Sequence, residues 1–347
     1  MTQFKKTEVS TVTEKDYPAL ARFLSSTEEP SRGEDFWKAR LLFWWDENPA
    51  FSPELERGWA LREDEALLGF IGRIPTLFQR SGKVVTVFNV TTWRVLPACR
   101  NQSMKLLFQF LKASGGRILF DTTPDTNVAK ILERSGFTPL SLDNPRYSFT
   151  VLNPEKIFPK LLALPFRLWQ QFRLRKLKGE AFKGSRLVKK ADVSFDEFWA
   201  RTRERYQNTN VRTSKVLHWY CFGNQNRRKE LFGYYQKGQL QGYAVCWGRE
   251  TKQRREFECV DLWVDFMEDK IIKSLVRAIL DYAKENSFDL VVFPHFDSHL
   301  AGAFKRCGLF QRKILRGDRY VKMDAGSEGF LDPRHSYFVS LQGDYGL

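Results

Sequence analysis

The sequence is poor in the residues that most often mark chemistry. Of 347 residues, four are histidine, four are methionine, and the five cysteines (Cys99, Cys221, Cys246, Cys259, Cys307) are an odd number without a CxxC pair. That spacing excludes a disulfide framework and a zinc ribbon and leaves reduced thiols. His295 and His299 stand four apart, but Pro294 argues against one shared helix face, so no metal is expected. No apolar run approaches the roughly 20 residues that span a bilayer. The opening MTQFKKTEVSTVTEKDYPAL lacks the apolar core of a secretory leader, so a cytoplasmic location is expected. GxSxG, GxxxxGK(S/T) and GxGxxG are missing, which removes the nucleophile elbow, the P-loop and the dinucleotide fingerprint.

What the chain has in excess is positive charge. The formal net charge is +15, and residues 155–190 hold eleven Lys/Arg against two Asp/Glu, so that segment alone supplies +9. A partner carrying phosphate or lipid head groups is expected there. At about 100° per residue, a helix through this segment puts Leu161, Leu162, Leu164, Phe166, Leu168, Trp169 and Phe172 on one broad face. Arg167, Gln170 and Gln171 fall opposite, and the cluster Arg173, Arg175, Lys176, Lys178 follows directly. Leu161–Lys178 fits a helix lying on an anionic membrane surface, which would make the protein peripheral on the inner face. It also fits a helix packed between two domains with its basic residues solvated.

The chain repeats itself. Asp125–Phe137 (DTNVAKILERSGF) matches Asp297–Leu309 (DSHLAGAFKRCGL) without a gap. EDEALLGFIG (Glu63–Gly72) faces QKGQLQGYAV (Gln236–Val245), RLLFWWDENPA (Arg40–Ala50) faces KVLHWYCFGNQ (Lys215–Gln225), and NPRYSF (Asn144–Phe149) faces GDRYVK (Gly317–Lys322). Offsets of 172, 173, 175 and 173 residues in one order indicate a duplicated domain. Each copy reads as a helix, the aromatic pair, antiparallel strands, then a β-α-β-α unit whose last helix ends at Gly136 or Gly308. The aromatic pairs Trp44–Trp45 and Trp219–Tyr220 suit the lining of a ligand cleft or packing, and their repetition in both copies favours packing.

This order, with VLPACRNQSMKLLFQFL between a strand and a helix and DTNVAKILERSGF after the next strand, resembles the GNAT superfamily of N-acyltransferases. The resemblance covers both copies and implies an α/β (α+β) fold of two tandem GNAT-like domains, each a mixed, mainly antiparallel sheet flanked by helices. The domains expected are 1–152, with the acyl-CoA site, and 185–325, joined by a basic linker helix at 153–184 and followed by a tail at 326–347. It further implies acetyl-CoA or a longer acyl-CoA as co-substrate and an amine acceptor, such as an amino sugar or a lipid-linked cell-envelope precursor. A Fem-type aminoacyltransferase, which draws on aminoacyl-tRNA, shares the two-domain plan. A catalytically silent GNAT-like binding protein is a third alternative.

In the family, the loop after the fourth strand, typically P-x-x-R/Q-x-x-G-x-G, holds the pyrophosphate of coenzyme A on amides at a helix start. Here Val95 precedes the loop, Pro97 and Arg100 match, Asn101, Gln102 and Met104 fill it, and Ser103 and Lys105 replace the glycines. Arg100 and Lys105 add positive charge. The second copy has Asp265, Glu268 and Asp269 at this place, which suit a helix start but repel a pyrophosphate, so the cofactor is expected in the first copy. Many family members carry an Asn at the start of the last helix and a Tyr seven residues on. Those positions are Asp125 and Leu132, then Asp297 and Phe304, so the tyrosine is missing twice. For a general base, Asp121 at a strand end and Asp261 in CVDLWV are the candidates, each with cap or arginine partner as the plainer alternative.

Overall fold

The computed structural model describes residues 7–28, 31–140, 146–177, 184–223, 229–251, 253–265, 268–313, 319–323 and 329–339. Lys178, Phe266, Met267 and the end of the tail lie outside them. The first half runs β1 (Glu8–Thr11), α1 (Tyr17–Ser26), α2 (Glu34–Trp44), β2 (Gly58–Glu63), β3 (Ala66–Arg80), β4 (Lys83–Val95), α3 (Ser103–Ala113), β5 (Leu119–Asp121), α4 (Thr126–Arg134), β6 (Thr138–Pro139) and β7 (Arg146–Val151). After α5 (Lys160–Leu174) come β8 (Ser185–Val188), α6 (Val193–Thr202), β9 (Asn208–Asn210), α7 (Ser214–His218), β10 (Glu230–Gln236), β11 (Gln239–Glu250) and β12 (Arg255–Val264). The chain closes with α8 (Asp269–Glu285), β13 (Leu290–Pro294), α9 (Ser298–Arg306), β14 (Phe310–Lys313), β15 (Tyr320–Lys322) and β16 (Ser336–Tyr337).

These strands form two sheets whose main paths have matching order, β1-β2-β3-β4-β5-β15-β6 and β8-β10-β11-β12-β13-β7-β14; off the first path, β9 pairs with β3 and β16 pairs with β9. Along these paths only β4–β5 and β12–β13 are parallel, so each sheet is mixed and mainly antiparallel. The sixth strand of each path comes from the other half. Strand β7 lies between β13 and β14, and β15 lies between β5 and β6. They carry the matched RYSF and RYVK of the repeat. Sheet membership therefore crosses the boundaries at 152 and 185: the halves have exchanged a strand.

Helices α4 and α9 stop in the same way. Gly136 takes φ 83° and donates to Glu133 O while Phe137 donates to Leu132 O; Gly308 takes φ 86°, with Lys305 and Phe304 as the matching acceptors. This left-handed cap satisfies the last carbonyls of each helix. Trp44, Trp45, Trp219 and Tyr220 are all buried. Phe43 stacks on Trp219 with centroids 4.9 Å apart, and the Trp219 indole donates to Phe43 O at 2.9 Å, which joins the halves at the aromatic pairs.

Helix α5 sits the opposite way round from a packed interdomain helix. Its inward face is Ala163, Phe166 and Gln170; Phe166 meets Phe310 at 5.3 Å and the Gln170 amide donates to Val151 O. Arg173, expected among the solvated basic residues, instead donates to the carbonyls of Gly308 and Leu309, both at 3.0 Å. Leu161, Leu162, Leu164, Leu168 and Phe172 face outward and are exposed; Trp169, also exposed, sits at the edge of the seat with its ring 4.9 Å from Phe310.

Candidate functional site

The parallel ladder of β4 with β5 is short. Phe88 faces Leu119 and Asn89 faces Phe120, and pairing ends there although β4 continues to Val95. The two strands thus part at their carboxyl ends. On the other side of β4, the register with β3 jumps from Gly72–Thr91 to Phe70–Arg94, so Thr92 and Trp93 together oppose Ile71. Thr92 takes φ 47° in this bulge, a costly conformation for a β-branched residue and one that concentrates at functional sites. Two β3 glycines make room: a Cβ on Gly72 would lie 2.7 Å from Thr91 Cγ2, and one on Gly69 would lie 2.9 Å from Val95 Cγ2. Residues Thr92 to Val95 are half-buried, so this strand end is partly open. Asp121 closes β5 at the parting, 7% exposed, with Oδ1 accepting from the Thr123 amide at 3.3 Å.

The segment after β4 is helical from its start. Pro97–Gln102 form a 3-10 helix that runs directly into α3. The Cys99 amide bonds Leu96 O at 2.8 Å and the Ser103 amide turns back to Arg100 O, so the backbone uses these donors itself. Arg100, Asn101 and Lys105 are exposed; Gln102, Ser103 and Met104 are half-buried, Met104 against the first-half core. Gln102 accepts from the Thr7 hydroxyl at 2.8 Å, and Lys105 Nζ donates to the same hydroxyl at 3.3 Å. Asp125 caps α4, accepting from the amides of Asn127 and Val128 at 2.8 and 2.9 Å. Because β4 and β5 are parallel neighbours, Val95, Arg100–Lys105, Asp121 and Asp125 all leave the same edge of the first sheet.

Asp261 is not with them. It lies in the second sheet, fully buried, with Oδ2 3.1 Å from Arg212 Nε and Oδ1 3.3 Å from Arg212 Nη2, and it accepts the Tyr243 hydroxyl at 2.9 Å. Arg212 is 1% exposed on its side chain and also donates to Thr209 Oγ1 and Asn210 O. A base must reach its substrate, and a carboxylate enclosed by an arginine and a tyrosine holds charge in the core instead. Desolvation and the Asp261 charge push the Tyr243 hydroxyl well above its ordinary pKa.

The second parting is filled. Every residue of β12 from Glu256 to Val264 is buried, and so is Asp265. Tyr337, from β16, bonds Leu262 O through its hydroxyl and meets Trp263 at 5.3 Å; Arg212 lies 4.2 Å from the Trp263 ring. Two of the acidic residues at the start of α8 are paired, Asp265 with Arg201 at 3.4 Å and Asp269 with Arg306 at 2.7 Å. Asp297, the counterpart of Asp125, takes the Tyr206 hydroxyl at 2.6 Å as well as the His299 amide. Leu132 and Phe304 are core residues of their halves.

Sequence reasoning missed the Thr92 bulge, although Gly69 and Gly72, three apart in a strand, were the available signal. It also missed a solvent-open cavity of about 480 Å³ between the halves, lined by Pro49, Lys190, Ser214, Lys215, His218 and Trp219 among others. That cavity shares no lining residue with the end of β4.

No known family profile matches the chain, and no curated protein does. Solved structures do. A GCN5-related N-acetyltransferase from Anabaena variabilis superposes with TM-score 0.59 at 11% identity, covering 91% of this chain and 72% of that one. The N-myristoyltransferase of Saccharomyces cerevisiae with bound myristoyl-CoA gives TM-score 0.55 at 15% identity, over 91% and 82%. A protein of unknown function from Enterococcus faecalis, for which N-acyltransferase activity is suggested, gives 0.58 at 11% identity, over 92% and 72%. At these identities the likeness concerns the fold: two GNAT-like halves in tandem.

Proposed function

We propose that this chain is an N-acyltransferase that moves an acyl group from acetyl-CoA or a longer acyl-CoA to an amine, using its first half. The observation that carries this reading is the asymmetry of the two strand partings. One is partly open, strained at Thr92 and flanked by the exposed cations Arg100 and Lys105; the other is filled by Tyr337, Trp263 and Arg212. The charge of Arg100 and Lys105 suits a pyrophosphate, while the 3-10 helix without glycine offers side chains in place of a bare amide cradle. A bound acyl-CoA would supply a thioester whose thiolate, with a pKa of about 8.5, leaves without an acid. That accords with Leu132 and Phe304 standing where the family often has tyrosine. Asp121, at the parting, is the group we assign to take a proton from the acceptor ammonium, directly or through one water, so that the neutral amine can attack the thioester carbonyl. The acceptor is an amine on a small molecule or a lipid-linked precursor, met in the cytoplasm. Among the described residues no helix is long and apolar enough to cross a membrane.

Calorimetry of the full chain with acetyl-, octanoyl- and palmitoyl-CoA tests the reading. Binding of at least one should weaken about tenfold or more in Arg100→Glu/Lys105→Glu and stay unchanged in Asp265→Asn/Glu268→Gln. Failure to bind any of the three overturns it, and transfer that requires aminoacyl-tRNA would move the assignment to the Fem-type alternative.

A further inference from the structure

Helix α5 exposes its apolar side. Eleven large apolar side chains are exposed among the described residues, and six of them, Leu161, Leu162, Leu164, Leu168, Trp169 and Phe172, lie on this one helix at 51–90% exposure. At about 100° per residue they cover, with Pro165, an unbroken arc of about 160° from Leu164 round to Leu162. An arc of that size on a water-facing helix marks an interaction site. The helix is firmly seated from beneath by Phe166, Gln170 and Arg173, so the arc is not the loose side of a poorly packed element.

Charge identifies what covers it. The exposed residues Arg175 and Lys176 follow the arc at its carboxyl end, and the Arg175 guanidinium lies 5.6 Å from the Phe172 ring, folded back over the arc. Residues 155–190 carry +9. Fifteen residues span about 22 Å along the axis, enough to lie in an interface and too short to cross one. A wide apolar arc with an interfacial tryptophan, capped by cations, matches the boundary between acyl chains and anionic head groups.

We propose that α5 docks the protein onto anionic lipid bilayers, with the Leu161–Phe172 arc entering the head-group boundary and Arg175 and Lys176 meeting lipid phosphates. The inference rests on α5 alone and stands whether or not the chain transfers acyl groups. Its test is sedimentation of the full chain with vesicles of pure phosphatidylcholine and of phosphatidylcholine with phosphatidylglycerol, at low and high salt. Binding should need the anionic lipid, fall with salt, and drop roughly fivefold for each charge removed in Arg175→Gln and Lys176→Gln. Leu164→Ser/Leu168→Ser/Phe172→Ser should lower it by about tenfold or more with an unchanged unfolding midpoint, since these side chains touch water. Three results overturn the proposal: no vesicle binding, binding that survives the triple substitution, or a concentration-dependent dimer that the same substitution abolishes while vesicles leave the native protein free.

Discussion

Asp261→Asn separates a structural carboxylate from a catalytic one, and the structure sets the size of the effect. The substitution keeps shape and volume but leaves the Arg212 guanidinium, 1% exposed, without its counter-charge. Breaking a buried pair by removing one partner costs about 3–5 kcal/mol, a large share of the 5–15 kcal/mol that holds a typical domain together. For a chain of this length each kcal/mol moves the midpoint by about 1.4 °C, so thermal unfolding should begin roughly 4–7 °C earlier. Arg212 also donates to Thr209 Oγ1 and Asn210 O of β9, which pairs with β3 of the first sheet. The loss should therefore loosen both sheets together. Asp261→Leu/Arg212→Met, which removes both charges, should recover a good part of the loss, because an apolar pair of similar volume often matches a buried ion pair. Denaturant and thermal midpoints of the wild type, both single variants and the double variant form the cycle. A cost below about 1 kcal/mol for Asp261→Asn, or a double variant as unstable as the two losses added, would refute the structural role. A folded Asp261→Asn protein whose turnover falls about a hundredfold or more would return this residue to the list of bases.

Gly308→Ala should cost clearly more than Gly136→Ala: both pay about 1–2 kcal/mol for left-handed φ, but a Cβ at Gly308 would lie 2.5 Å from the Arg173 carbonyl oxygen whereas one at Gly136 meets only the movable tip of Lys322; equal unfolding midpoints would contradict this. The five thiols, all buried, with those of Cys221 and Cys307 pushed up to about 12 by burial, should resist a thiol reagent at pH 8 in the native state and all react after unfolding; fast native labelling of any of them would be inconsistent with the burial. Residues 1–184 made alone should fail to fold and should be recovered as a soluble complex with co-expressed 185–347, because each sheet borrows a strand from the other piece; two separately stable halves would argue against the exchange.

The plan of the fold was legible because duplication writes each element twice. Gly136 and Gly308 ended their helices as the repeat indicated, and the Gly-aromatic strands fell at matching places in the two sheets, Gly69 opposite Val95 and Gly242 opposite Val264. The exchange of β7 and β15 was not legible. RYSF and RYVK are nearly the same strand, and a ladder built from either offers the same backbone bonds, so local sequence does not say which sheet each joins. That choice rests on side-chain packing across the whole molecule, such as Phe149 against Phe310 at 5.6 Å in the second sheet. Asp261 has the arginine partner that the sequence offered as its plainer alternative, but that partner, Arg212, lies 49 residues away, and nothing in CVDLWV says which arginine it is.

The site divides along the same line between local and distant causes. Asp125 could be placed from sequence because it stands at a helix start, where a carboxylate accepts from the unpaired amides of the first turn, whereas Arg100 and Lys105 were placed only by their position after β4. Thr92 itself carries no such mark, because a β-branched residue at positive φ opposes its own preference and is held there by the register of β3 against β4, so the only signal lay across the ladder in Gly69 and Gly72. Helix α5 shows the limit of periodicity most directly. An amphipathic pattern defines a face, and a soluble fold normally turns that face inward. Here the inward face is the one with Ala163 and Gln170, and the leucines look out. The second sheet already has a complete core between β12, β13 and α8, so α5 adds only a shallow seat over Val151 and Phe310, which two or three side chains fill. An apolar arc that the protein has no room to bury costs it solubility, and a lipid surface that covers the arc removes that cost.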